Sequence, residues 1–168
     1  MRVGLGTDAH RFDPGRKLFL GGVGIPFEKG LSGHSDADVV LHSLMDALLG
    51  ACGAGDIGGM FPDDDPAYRG ASSLDLLNRV CGVVRDKGCR IANIDIVVIC
   101  EEPRIAPHRD QMLERIASAC GIAREAVSIK GTTTEGMGFT GRGEGIASIA
   151  AVLLGEEGDP SGTGRVFG

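Results

Sequence analysis

The chain has 168 residues, a formal net charge of −6 and a sequence pI near 5.2, length enough for one domain that buries most of its apolar surface without disulfide or metal staples. The acidic balance argues against a nucleic-acid or anionic-membrane surface, because phosphate backbones are held mainly through clustered Lys and Arg. Five scattered cysteines without a Cys-x-x-Cys pair suggest neither a disulfide framework nor a zinc knuckle and read as reduced packing residues; with no basic-then-apolar leader, the expected location is the cytoplasm.

Residues 2–10 read as a first strand and 17–20 as a second. In a strand, positions i and i+2 point to the same side, so Asp8 and His10 converge at the end of the first. Ser35 followed by Asp38 resembles a capping box, and Leu41, Leu44, Met45, Leu48 and Leu49 recur at helical spacing. This predicts a helix beginning near Asp36 that carries His42, with Asp38 and Asp46 at i−4 and i+4 expected to orient its imidazole. A second helix is predicted over residues 72–87, stopped by Gly88, and a third from Pro107 to Gly121. The β-branched run within residues 90–100 predicts a buried strand, with further strands over 127–130 and 145–154. The longest apolar stretch, Ile146 to Leu154, is too short to span a bilayer. The polar segment from Gly155 onward lacks periodicity and is expected to be a mobile tail, leaving residues 1–154 as a single catalytic domain. The element order implies an α/β fold of the α+β type, a two-layer sandwich of a mixed sheet with helices on one face.

Two histidines and one carboxylate are a common zinc set that keeps a fourth position open for substrate. Alone, Asp8 and His10 would read as a surface pair at a strand end; His42 is what turns them into a candidate ligand set. His34 and Ser35 precede a helix N-terminus, which favours anions, although capping alone would account for Ser35. Asp56, Gly58 and the Phe61-Pro62-Asp63-Asp64-Asp65 run read either as a solvated acidic turn or as a carboxylate-rich loop suited to a polyol. Thr132-Thr133-Thr134-Glu135 are ordinary strand residues or the hydroxyls and carboxylate that a Mg²⁺-carrying phosphate uses. The glycine clusters at residues 21–24, 53–59 and 136–145 read as loops able to approach a ligand. Gly4-Leu-Gly6-Thr-Asp-Ala9 and Gly136-Met-Gly138-Phe-Thr-Gly141 fit a dinucleotide fingerprint, but neither is followed by the helix that the pyrophosphate needs.

Asp8-Ala-His10, Gly33-His-Ser-Asp-Ala-Asp-Val39, Leu41-His42, Gly55-Asp-Ile-Gly58, Phe61-Pro-Asp63, Thr132-Thr-Thr-Glu135 and Phe139-Thr-Gly-Arg-Gly-Glu-Gly145 together resemble the 2-C-methyl-D-erythritol 2,4-cyclodiphosphate synthase family, in register from Arg2 to about Leu154. The resemblance implies a homotrimer with active sites between subunits, and a non-mevalonate isoprenoid step that converts a cytidine diphosphate-linked substrate to the cyclodiphosphate and CMP. It implies Asp8, His10 and His42 as ligands of one Zn²⁺ per site, and Glu135 as a contact for a second divalent ion, Mg²⁺ or Mn²⁺. His34 and Thr133 become the transition-state stabilisers. Ala9 joins Asp8, His10, His34 and Ser35 against the substrate, and the methylerythritol part would meet Asp56, Ile57, Gly58 and the Phe61, Pro62, Asp63, Asp64, Asp65 loop. The cytidine diphosphate would lie on Cys100, Glu101, Glu102, Pro103, Arg104, Ile105 and Ala106 and on Thr132, Thr133 and Thr134. Phe139 and Arg142 complete the implied set. Thr7, Arg104 and Gly136 stand where relatives often carry an aromatic residue, a lysine and a lysine. A zinc hydrolase and a non-catalytic trimeric metal-binding module remain as alternatives, distinguished by the product formed and by the effect of removing His10 or His42.

Overall fold

The computed structural model describes residues 1–62, 65, 68 and 70–156. Asp63 and Asp64 of the expected substrate loop, and residues 157–168 of the expected tail, lie outside the described residues.

Five strands, β1 (Arg2–Asp13), β4 (Gly30–Leu31), β5 (Cys89–Ile99), β6 (Val127–Thr132) and β7 (Gly145–Glu156), form one sheet in the order β4-β1-β7-β5-β6. Only β5 and β6 run parallel, so the sheet is mixed as expected. The pairing register places Gly4, Val152, Ile94 and Val127 in one row across the sheet, Gly6, Ala150, Ile96 and Ile129 in the next, and Asp8, Ser148 and Val98 in a third. Because side chains alternate along each strand, these rows share one face, and helices α1 (Val39–Cys52), α3 (Ser73–Asp86) and α4 (Arg109–Cys120) pack against the sheet there. The alternate rows, which include Val3, Leu5 and Ile149, carry no helix layer and stay exposed.

Helix α1 is the central element of the core: its residues are apolar nearly all round, as a helix enclosed between a sheet and α3 requires. It lies close on β1 because Gly4 and Gly6 have no side chains; a Cβ there would stand 1.9 Å from the Ala47 carbonyl oxygen and 2.1 Å from that of Ser43. The first glycine motif therefore serves helix packing, and β1 runs on to Asp13 with no helix after Ala9.

Several boundaries differ from expectation. Helix α1 starts at Val39 with Asp38 as its cap, whereas Ser35 makes no cap bond to α1. The glycine cluster at Gly21 and Gly22 is a hairpin turn joining β2 (Leu18–Leu20) to β3 (Val23–Ile25); φ values of 59° and 75° fit the two-residue type I′ turn, which glycine adopts without steric cost. Helices α2 (Ile57–Met60) and α5 (Gly138–Gly141), strands β3 and β4, and a 3₁₀ turn at Arg124–Ala126 are too short to show a period in sequence. Gly155 and Glu156, expected in the tail, extend β7 and pair with Arg90 and Cys89. All five cysteines are free and buried. Among the described residues, no helix is long and apolar enough to cross a membrane.

Candidate metal centre

Asp8 and His10 continue the helix-facing row of β1 begun by Gly4 and Gly6, and the close approach of α1 brings His42 over them. His10 Nε2 lies 2.9 Å from Asp8 Oδ2, His42 Nδ1 lies 3.1 Å from the same oxygen, and the two imidazole nitrogens are 3.1 Å apart. Three donor atoms facing one point at these separations approach the roughly 3.3 Å edge of a tetrahedron whose ligands stand about 2.0–2.1 Å from a central ion. Two imidazole lone pairs and a carboxylate so close repel one another unless a proton or cation lies between them, so the donor set fits a divalent metal. The imidazoles of His10 and His42 hold the Asp8 carboxyl well below the usual carboxylate range, against a desolvation that acts the other way. Burial lowers the His42 imidazole, but its bond to Asp8 and the charges of Asp8, Asp38 and Asp36 raise it overall.

The partners expected to orient His42 are elsewhere. The fully buried Asp38 carboxylate accepts from four backbone N–H groups: Gly21 at 2.9 Å, Gly22 at 2.7 Å, and Val40 and Leu41 at 3.1 Å each. Burial pushes its carboxyl up, and those donors offset part of the rise. Asp46 accepts from the Ile57 N–H at 2.8 Å and so anchors α2. The second nitrogen of His42, Nε2, instead lies 3.1 Å from both Ser35 Oγ and Ser73 Oγ. Ser35 is thereby turned inward, where its oxygen also accepts from the Ala37 N–H. Arg16 donates to the carbonyls of Gly33 and Ser35 and ties down the loop that carries His34.

The donor triad opens into a cleft of about 230 Å³ shared with Gly33, His34, Ile57, Gly58, Phe61 and Pro62. Of the sequence-predicted methylerythritol contacts, Ile57, Gly58, Phe61 and Pro62 thus share the cleft with the candidate metal ligands, whereas Asp65 and Asp56 do not line it; Asp56 stands at the start of α2, where it accepts from Gly59 N–H. Met45, Tyr68 and Leu76 also line this cleft and escaped the sequence reading, which weighed motifs of polar residues. Tyr68 packs edge-on against buried Phe61, ring centres 5.2 Å apart.

A second cleft, about 470 Å³, is lined by Cys100, Glu101, Pro103, Arg104, Ile105 and Ala106 facing Thr132 and Thr133, and among the described residues shares none with the first. Arg109, which no motif marked, and Lys130, at the head of the threonine segment, add cationic side chains. Burial, with Glu102 and Glu101 beside it, pushes the Cys100 thiol up to about 11. Glu101 Oε1 accepts from the backbone N–H groups of Thr134 and Gly136, holding a turn in which Glu135 takes a φ of 54°. Glu135 accepts from the Thr133 hydroxyl at 2.6 Å, and Arg142 pairs with Glu144 at 2.7 Å. Glu135, Phe139 and Arg142 are exposed or half-exposed and line neither cleft, nor do Ala9, Asp56, Glu102 and Thr134.

Comparison with known proteins gives a consistent result. The chain matches the YgbB family over residues 1–155. It is 58% identical to the 2-C-methyl-D-erythritol 2,4-cyclodiphosphate synthase of Moorella thermoacetica over 154 residues, 92% of this chain and 94% of that protein. It is 57% identical to the synthase of the same name from Symbiobacterium thermophilum, covering 92% and 98%. Among solved structures, the bifunctional IspDF of Campylobacter jejuni superposes with a TM-score of 0.89 at 41% identity, over 92% of this chain but 42% of that longer protein. The CDP complex of IspF from Plasmodium falciparum superposes with a TM-score of 0.81 at 33% identity, covering 93% and 96%.

Proposed function

The chain belongs to the YgbB family and shares that family's 2-C-methyl-D-erythritol 2,4-cyclodiphosphate synthase function, and from this premise we propose how its residues carry the reaction. The single observation behind the reading is the convergence of Asp8, His10 and His42 within one cleft. In the reaction, a phosphate oxygen of 4-diphosphocytidyl-2-C-methyl-D-erythritol 2-phosphate attacks the β-phosphorus of the same molecule, and the bond to the CMP oxygen breaks. No protein nucleophile is needed; the protein folds a flexible polyanion back on itself, and positioning of this kind contributes about 7–11 kcal/mol. A Zn²⁺ ion held by Asp8, His10 and His42 would polarise a phosphoryl oxygen and offset its charge.

In this reading, Ile57, Gly58, Phe61 and Pro62 hold the methylerythritol part beside the metal ligands, and His34 at the mouth of the cleft donates to the reacting phosphate. The cytidine diphosphate lies along Cys100 to Ala106 and Thr132 to Thr134, with Arg104 supplying charge; that related structures are CDP complexes supports a CDP-linked substrate. The Thr133 hydroxyl donates to Glu135 in the free protein. Glu135 would hold a Mg²⁺ or Mn²⁺ ion, which would offset diphosphate charge, and the Thr133 hydroxyl would then be free to donate to the phosphate. Phe139 and Arg142 join the substrate at the edge of the site.

Because the two clefts of one chain share none of the described residues, we further propose a homotrimer in which each site joins the metal cleft of one subunit to the nucleotide cleft of its neighbour. The uncovered sheet face, with Val3 and Leu5 exposed by 76% and 68%, supports such an assembly. A single catalytic domain that includes β7 to Glu156 and a cytoplasmic location, in keeping with five free thiols, complete the reading. The test is product analysis with the cytidylylated substrate, with and without a chelator. Cyclic diphosphate and CMP in equal amounts, lost on chelation and restored by zinc, are expected. CMP without the cyclic product would instead identify a hydrolase, and full turnover by His42→Ala would remove the metal centre from the mechanism.

A further inference from the structure

His42 can bind a metal through Nδ1 only if that nitrogen presents a lone pair, and in a neutral imidazole this requires the proton to sit on Nε2. The groups around Nε2 decide the matter. Ser73 Oγ, fully buried at the start of α3, lies 3.1 Å from Nε2. The Ser73 hydroxyl hydrogen is directed elsewhere: Oγ donates to Asp36 Oδ1 in a short bond, while the Ser73 backbone N–H donates to Asp36 Oδ2 at 3.0 Å. Asp36 is fixed in turn by its own N–H, which donates to the Ala71 carbonyl at 3.1 Å. A carboxylate only accepts, so Ser73 must donate to it and can then only accept from His42. Ser35 Oγ, the other neighbour of Nε2, already accepts from Ala37 N–H and has a lone pair left for the imidazole.

We infer that Asp36 and Ser73 are positioning residues for the metal centre: the carboxylate orients the serine, and the serine fixes the His42 ring with its proton on Nε2 and its Nδ1 lone pair towards Asp8 and His10. This rests on the reading of Asp8, His10 and His42 as metal ligands and adds residues from two further segments, the turn before α1 and the first turn of α3. Outer partners of this kind change metal affinity by about 10–100-fold.

Zinc affinity, measured by competition with a chromophoric chelator, tests it on wild type, Ser73→Ala, Asp36→Asn and His10→Ala. Ser73→Ala keeps the backbone N–H that bonds Asp36 and is expected to weaken zinc binding about 10–100-fold. In Asp36→Asn, an amide N–H facing Ser73 turns the serine hydroxyl hydrogen towards His42, and at least as large a loss is expected. In zinc-loaded protein labelled with ¹⁵N-histidine, the His42 Nε2–H should exchange slowly with solvent in wild type and rapidly in Ser73→Ala, a change that a general loss of stability would not confine to one imidazole. If wild type and His10→Ala bind zinc equally, the metal-ligand reading itself fails. If His10→Ala abolishes binding while Ser73→Ala and Asp36→Asn bind as wild type does, the inference alone is overturned. Should Ser73→Ala not fold, Asp36→Asn and the wild-type exchange rate decide, and rapid exchange of Nε2–H in wild type overturns it.

Discussion

At the scale of single residues, buried polar groups bind segments that are distant in sequence. Asp38 caps α1 and at the same time holds the N–H groups of Gly21 and Gly22 in the β2–β3 turn. Its loss removes a cap worth about 1 kcal/mol and leaves turn N–H groups unpaired at about 1–3 kcal/mol each. Asp38→Ala is therefore expected to lower unfolding free energy by about 3–7 kcal/mol, read from urea denaturation. Cys100 presents the opposite case of a group kept inert. With its thiol pushed up to about 11, thiolate is scarce at pH 8, and peptide mapping after brief iodoacetamide treatment at that pH should find Cys100 unmodified. Modification that becomes rapid only as the pH approaches 11 would agree with the shift; rapid modification at pH 8 would contradict it.

At the scale of elements, the candidate metal centre depends on how closely α1 rests on β1. A methyl group at Gly6 would overlap the Ser43 carbonyl, one residue from His42, and backbone cannot yield as a side chain does. Gly6→Ala is expected to destabilise by about 1–3 kcal/mol or more and also to weaken zinc binding, because the helix must move away from the strand carrying Asp8 and His10. Gly82 in α3 makes the contrast, with open space where its Cβ would go. Gly82→Ala should stabilise by about 0.5–1 kcal/mol, seen as a higher melting temperature with unchanged zinc affinity. A Gly6→Ala protein as stable as wild type and with unchanged zinc affinity would show that the close approach of α1 to β1 does not govern this layer.

At the scale of the whole molecule, one chain holds all three donor atoms of the candidate metal centre but separates that centre from the second cleft, the proposed nucleotide site. The proposed trimer and metal binding can therefore be tested separately. Leu5→Arg combined with Ile149→Arg places charges on the uncovered sheet face, and sedimentation should then report a monomer. The monomer is expected to keep wild-type zinc affinity and lose cyclisation. A monomer with full turnover would mean that each chain carries a complete site.

The sequence by itself determined which elements form and which way their residues face. Alternation placed Asp8 and His10 on one side of β1, and helical spacing placed His42 on α1, because each element's period is a local property of the backbone. Most strands and the three long helices were legible for the same reason, whereas β3, β4, α2 and α5 span too few residues to show a period. Tertiary structure decided the partners. Asp38 and Asp46, neighbours of His42 along the helix, bond backbone amides, and the groups beside Nε2 are Ser35 and Ser73, the latter 31 residues away. The separation of the two clefts and the hairpin at Gly21 and Gly22 were decided in the same way. Period fixes direction along one element; hydrogen-bond partners depend on distances between elements, which arise only when the sheet and helices pack.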